Sequence, residues 1–165
     1  MTVFGIDLGT TYSCIASIDD SGRASVIKNS DGEDTTPSVV WFEDEQSIVV
    51  GRSAKDSAIA YPDQVVSLIK RSMGTDRFST FFGRDYTPEE TSSFILRRLA
   101  GDASRLLHTE VSDVVITVPA YFGIAERDAT RKAGQIAGLE VLDIVSEPIA
   151  AAIDYGVLDI GEDKT

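Results

Sequence analysis

Three short stretches near the start of the chain, residues 3–8, 13–19 and 24–28, are rich in apolar and β-branched side chains. Gly9-Thr10-Thr11 and Asp20-Ser21-Gly22 separate them, so they predict an antiparallel meander of three strands. Further strands are expected around 38–42 and 48–50, then a helix of about two turns near 54–61 that Pro62 stops. Val65, Val66, Leu68 and Ile69 form an apolar run that leads to Lys70-Arg71. Residues 74–86 mix Gly, Asp, Ser and Thr with four aromatics and show no period, as a loop or a frayed hairpin does.

The second half is more regular. Thr87-Pro88-Glu89-Glu90 is a helix start with Thr as N-cap, Pro in the first helical position and Glu closing a capping box. That helix is expected to run through Phe94, Ile95, Leu99, Leu106 and Leu107, with Gly101 its weak point. Residues 114–118 are a near-continuous β-branched run, expected of a strand covered on both faces. Ala125, Ala129, Ala133, Ile136 and Ala137 recur at helical spacing up to Gly138, and 141–145 predicts another strand. Pro148 then opens a helix over 149–153, which Gly156 closes. Gly134 and Gly138 read as close helix packing and a C-cap.

Strands first and then β-α-β-α predict a mixed α/β sheet with helices packed on it. The order matches a ribonuclease H-like core: a mixed five-stranded sheet built from 1–37 and 112–165, carrying an inserted α+β subdomain over 38–111. The chain ends directly after an acidic loop that should lead into another strand, so it reads as part of a longer protein.

The 165 residues suit one domain with an insertion, and the 42% hydrophobic and 25% charged residues are ordinary globular usage. The N-terminus lacks the basic region of a signal peptide, and no apolar run is long enough to span a membrane. One cysteine, Cys14, excludes an internal disulfide, and one histidine, His108, excludes a His-rich metal site. A cytoplasmic protein is expected, with Cys14 an inert core residue, His108 at a helix C-terminus and Trp41 packed within the insertion. Twenty-seven acidic against 15 basic side chains give a net charge of −12, with no basic surface for nucleic acid. The acids gather in loops, where solvated faces account for them.

Candidate chemistry concentrates in Gly5-Ile6-Asp7-Leu8-Gly9-Thr10-Thr11-Tyr12-Ser13. An apolar strand ends in a carboxylate, and a glycine then lets the backbone approach a ligand whose phosphate oxygens the amides and hydroxyls can meet. Asp7 is placed to hold magnesium through water. An ordinary hairpin whose Asp and Thr residues satisfy their own backbone fits the same spacing. Walker, Rossmann, G-x-S-x-G and H-E-x-x-H patterns are all absent. Lys70 and Glu147 suit charge neutralisation and water orientation in phosphoryl transfer, or plain helix-end charges and ion pairs.

Taken together, these segments resemble the heat-shock protein 70 (DnaK-type) chaperones. Gly5 to Cys14 is similar to their first phosphate-binding motif. Asp34-Thr35-Thr36-Pro37-Ser38, Ile69-Lys70-Arg71, Val115 to Phe122, Ala133 to Val141 and Glu147-Pro148 to Ala152 agree in order. The resemblance implies an actin-like ATPase whose nucleotide sits between two ribonuclease H-like lobes, this chain being the first. It implies ATP or ADP with Mg2+ as ligands. Gly9, Thr10, Thr11 and Tyr12 would lie on the phosphate hairpin, Asp7 near magnesium, Lys70 as the catalytic lysine and Glu147 beside the attacking water. Pro119 and Arg127 would relay nucleotide state to a peptide-binding domain. Unfolded client polypeptides, a J-domain co-chaperone and a nucleotide exchange factor are the implied partners, with no nucleic acid and no membrane.

Departures from the family pattern mark a divergent bacterial-type paralogue. The segment between Met73 and Thr87 is short, which implies an insertion lacking a hairpin. Gly123, Ile124, Ser146 and Ile149 replace the usual residues, the last two around Glu147. A metal-dependent nuclease of the same core is disfavoured, because 114–118 carries no carboxylate. An actin-like filament or cell-shape ATPase shares the phosphate hairpin, but Pro119 with Arg127 and the Thr-Thr-Pro-Ser stretch favour the chaperone.

Overall fold

The structure, a computed structural model, describes residues 2–147. The three expected meander strands form as β1 (Val3–Asp7), β2 (Tyr12–Ile18) and β3 (Ala24–Val26), paired antiparallel in sequence order. β4 (Thr36–Pro37) pairs with the start of β2. β5 (Val40–Phe42), β6 (Ile48–Val50) and β7 (Val65–Val66) make a separate antiparallel sheet with β5 central. Between β6 and β7 lies α1 (Arg52–Ser57), shorter than the pattern predicts. The residue before a proline is driven out of the helical region, and Tyr61 before Pro62 has φ −129°.

β8 (Ser79–Phe81) and β9 (Arg84–Tyr86) form an antiparallel hairpin. The short segment between Met73 and Thr87 therefore does hold a hairpin, contrary to the implied loss. Its inward rings explain it: Phe81 stacks on Phe42 at 4.1 Å between centroids, and Tyr86 and Phe94 complete the cluster. α2 (Pro88–Leu107) starts with the full Thr87/Glu90 capping box and runs unbroken through Gly101. β10 (Asp113–Val118), α3 (Ile124–Ile136) and β11 (Glu140–Ser146) follow. The helix expected from Pro148 onward, with Ile149 and Gly156, lies outside the described residues.

The main sheet has the order β11-β10-β1-β2-β3, with β1, β10 and β11 parallel. One face carries Phe4, Ile6, Ile15, Val114, Ile116, Val118 and Val141 into the core against Ile95, Leu96, Leu99 and Ala103 of α2 and Ala129 and Ala133 of α3. A β-carbon on Gly134 would sit 2.4 Å from Val141 Cγ2, so the glycine is what lets α3 lie this close to β11. Among the described residues the opposite face is only half covered. Val115 and Thr117 are half-exposed, and so is Cys14, because alternation along β2 sends Ser13 and Ile15 inward and Cys14 outward. Cys14 is thus not a core residue. Trp41 does pack within the inserted sheet, stacked on Tyr61 at 5.5 Å.

Candidate functional site

Because β1, β10 and β11 run parallel, their carboxyl ends share one edge of the sheet. Asp7, Thr117 and Val145 lie in one row across the three strands. Two residues beyond that row the chain reaches Gly9, Pro119 and Glu147. With neighbouring strands about 4.8 Å apart, the β1 and β11 ends of this row are separated by about 10 Å. Ligands of open α/β sheets bind outside such carboxyl ends.

The Gly9 turn is held from inside. Ser13 Oγ accepts from the Gly9 amide at 3.1 Å and shares a 2.7 Å hydrogen bond with Ser38 Oγ. The Ser38 amide in turn donates to the Thr11 carbonyl at 2.9 Å. Both serines are buried, so the fold spends two hydroxyls on fixing this one turn. A β-carbon on Gly9 would fall 1.8 Å from the Tyr12 carbonyl oxygen, which leaves glycine alone able to occupy the position. Thr11 and Tyr12 are exposed at the tip and Thr10 is half-exposed. The Tyr12 hydroxyl accepts from Lys55 of α1 at 2.7 Å, tying the inserted sheet to the turn. Sequence reasoning missed both serines as supports. Ser38 stood in a quoted motif, but only its contact with Ser13 gives it a task.

Asp7 is exposed at the end of β1, and Thr117 Oγ1 donates to its Oδ1 at 3.2 Å. No cluster of three His, Cys, Asp or Glu side chains occurs among the described residues. A lone, open carboxylate suits magnesium, which keeps most of its water shell and takes few protein ligands. Burial raises the Cys14 thiol above its ordinary pKa, and the nearby Asp7 carboxylate adds to the rise.

Lys70 arrives on a 3-10 turn, Ile69–Ser72, which Leu68 opens in the left-handed region at φ 58°. Strained backbone of this kind, costing on the order of 1–3 kcal/mol, gathers at functional sites. The Lys70 side chain is 5% exposed, and its Nζ donates to Glu147 Oε1 at 2.9 Å, while the Glu147 side chain is 43% exposed. The Phe122 ring lies 5.9 Å from the same ammonium. Pro119 is buried, and its carbonyl accepts from the Phe122 amide at 3.1 Å. Arg127 Nε donates to the Phe122 carbonyl at 3.2 Å and Nη2 to Ser146 Oγ at 2.7 Å. The structure therefore joins Lys70, Glu147, Pro119 and Arg127 in one contact network, with Asp7 and the Gly9 turn along the same sheet edge. The sequence held no local signal for Phe122 as the wall beside Lys70.

A profile of the family described as Hsp70 protein matches residues 3–82 and 77–165. The chain belongs to the Hsp70 family. The matched residues correspond to the N-terminal part of the nucleotide-binding domain of an Hsp70 chaperone. The mixed five-strand sheet with its small antiparallel insertion is that of an Hsp70 actin-like ATPase lobe. Hsp70 proteins are ATPases that bind ATP with Mg2+ and work with clients and co-chaperones. No helix among the described residues is long and apolar enough to cross a membrane.

Proposed function

We propose that this chain supplies the first phosphate hairpin and the catalytic pair of an ATP-hydrolysing Hsp70 chaperone. The observation that carries the proposal is the buried Lys70 ammonium, held on Glu147 at the sheet edge where the Gly9 turn also emerges. Gly9, Thr10, Thr11 and Tyr12 bind phosphate oxygens through amides and hydroxyls presented by a turn that Ser13 and Ser38 keep rigid. Lys70 has three ammonium donors, one of which Glu147 occupies. The others meet charge on the transferring phosphoryl group, and burial strengthens that attraction relative to water. Glu147, open to solvent on its other side, orients the attacking water and accepts its proton. Asp7 would hold magnesium through water, and the ion would supply neutralisation of charge on the phosphates.

In this reading, the ribonuclease H-like core spans 1–37 and 112–165. The insertion spans 38–111, with α2 as the base it shares with the core. Pro119 and Arg127 pass nucleotide state from Lys70 toward a peptide-binding domain, and the partners are unfolded polypeptides, a J-domain protein and an exchange factor. As one of the two lobes between which an Hsp70 nucleotide sits, this lobe by itself binds ATP weakly. Single-turnover hydrolysis by the full-length protein, beside Lys70→Ala and Glu147→Ala, tests the assignment. Hydrolysis lost in both variants with nucleotide binding kept is the expected result. Undiminished hydrolysis in either variant would remove that residue from the mechanism.

A further inference from the structure

We propose that Ser146 is a positioning residue for the hydrolytic step: its hydroxyl, held by Arg127, fixes the strand end that aims Glu147 at Lys70. The inference rests on the ATPase reading above and adds to it a residue with no role there.

The argument begins with how Arg127 uses its donors. Among the described residues Arg127 forms no ion pair, although the chain is strongly acidic. Its guanidinium instead grips two neutral acceptors, the Phe122 carbonyl and the Ser146 hydroxyl. Those two residues are the shoulders of the Lys70 site. Phe122 places its ring over the ammonium, and Ser146 is the last residue of β11, directly before Glu147. A planar, forked cation can hold two such points at a fixed separation, which a lysine cannot do.

The need for such a grip follows from exposure. The Glu147 side chain is 43% exposed and lies just past the end of the sheet ladder, whose last described pair is Val118 with Ser146. Among the described residues no ladder pair beyond it holds the backbone of Glu147. Among the described residues, the Arg127–Ser146 contact at 2.7 Å is the side-chain hydrogen bond made by the residue directly before it. Small misplacements of a catalytic group cost rate steeply, because orientation supplies much of the acceleration.

The test uses the full-length protein, with single-turnover hydrolysis and Mg-ATP affinity measured separately. Ser146→Ala is expected to slow hydrolysis about 5- to 10-fold, the scale of one lost hydrogen bond at the transition state. Its ATP affinity is expected to change less than about twofold, because Ser146 touches no phosphate-binding group. Ser146→Thr, which retains the hydroxyl on a β-branched residue suited to a strand, restores most of the lost rate. Arg127→Lys does not restore the rate lost in Arg127→Ala, and adding Ser146→Ala to Arg127→Ala brings little further loss. Equal rates for wild type and Ser146→Ala overturn the proposal. So does a loss that Ser146→Thr fails to restore and that follows a lowered unfolding temperature, since that is a purely structural role. A wild-type protein that binds but does not hydrolyse ATP overturns the ATPase reading, and this inference with it.

Discussion

Lys70 and Glu147 stand 77 positions apart in the chain, yet their side chains meet at 2.9 Å, one almost fully buried and the other half open to water. Two separate excursions bring them together. One is the strained 3-10 turn after Leu68; the other is the end of the outermost parallel strand, β11. The pair is therefore asymmetric: water already solvates the carboxylate if the lysine is lost, whereas the buried ammonium relies on its carboxylate for much of its compensation.

That asymmetry predicts an order of stability in the absence of nucleotide. Glu147→Ala strands a buried ammonium and is expected to cost about 1–3 kcal/mol. Lys70→Met keeps the aliphatic stem, removes the charge and leaves a half-exposed carboxylate, so it should cost less. Chemical denaturation of both variants measures the difference. If Lys70→Met proved the more destabilising, burial of the ammonium would not be what governs the pair.

The Gly9 turn predicts an intolerant position. Gly9→Ala places a methyl 1.8 Å from the Tyr12 carbonyl oxygen, a backbone atom that Ser13, Ser38 and β4 hold in place. Overpacking of this kind costs about 1–3 kcal/mol. The turn must open to relieve it, so Mg-ADP binding by the full-length protein should weaken along with the unfolding temperature. A variant that kept both would show that the turn adapts and that the serine lock is dispensable.

What the sequence made legible was what local rules encode. The α2 start was readable because Thr, Pro and Glu occupy the positions whose backbone groups need them, and β10 because five successive residues favour a strand. The β8–β9 hairpin was legible only as one of two alternatives, a loop or a frayed hairpin. Its two-residue loop, Phe82-Gly83, has φ 51° and 76°, and a phenylalanine at the first of these positions carries no turn signal. The cluster of Phe42, Phe81, Tyr86 and Phe94 imposes that loop from a distance. Within the site, Asp7, Gly9 and the threonines were visible as a motif. The meeting of Lys70 with Glu147 entered only through family resemblance, since tertiary contact across 77 residues leaves no periodic trace. Ser13, Ser38 and Phe122 stayed hidden for the same reason.

The capping box of α2 predicts a local loss. Thr87 Oγ1 accepts from the Glu90 amide at 3.2 Å, and Glu90 Oε2 accepts from the Thr87 amide at 2.8 Å. Thr87→Ala removes the first bond and is expected to cost about 1 kcal/mol. The urea midpoint should fall with the slope unchanged. An unaltered midpoint would mean that packing of α2 against the sheet sets its start without help from the cap.

Acid sensitivity is expected to centre on Asp102. Its side chain is only 2% exposed, and it holds Arg98 at 2.8 Å and Arg105 at 2.6 Å from its own helix, with the Ser30 amide donating from the facing loop at 3.3 Å. Asp31 is the other charged group in reach, 3.5 Å from Arg98. Burial alone would raise the Asp102 pKa, but the Arg98 hydrogen bond, the Ser30 amide, the Arg98 charge and Arg105 outweigh it and hold the acid below its ordinary value. The folded-state pKa is thus the lower one, and the unfolded chain takes up the proton first. The contribution to stability is complete above the unfolded-state value, about 3.9, and drains away as pH falls from there through the folded value. Asp102→Asn keeps the volume without the charge, and at pH 7 it should cost about 1.5–3 kcal/mol. The gap between variant and wild type should then narrow as pH drops below about 4. Urea midpoints of both proteins, measured from pH 7 to pH 3, give the comparison. Two curves that stayed parallel throughout would place the acid-labile charge elsewhere in the protein.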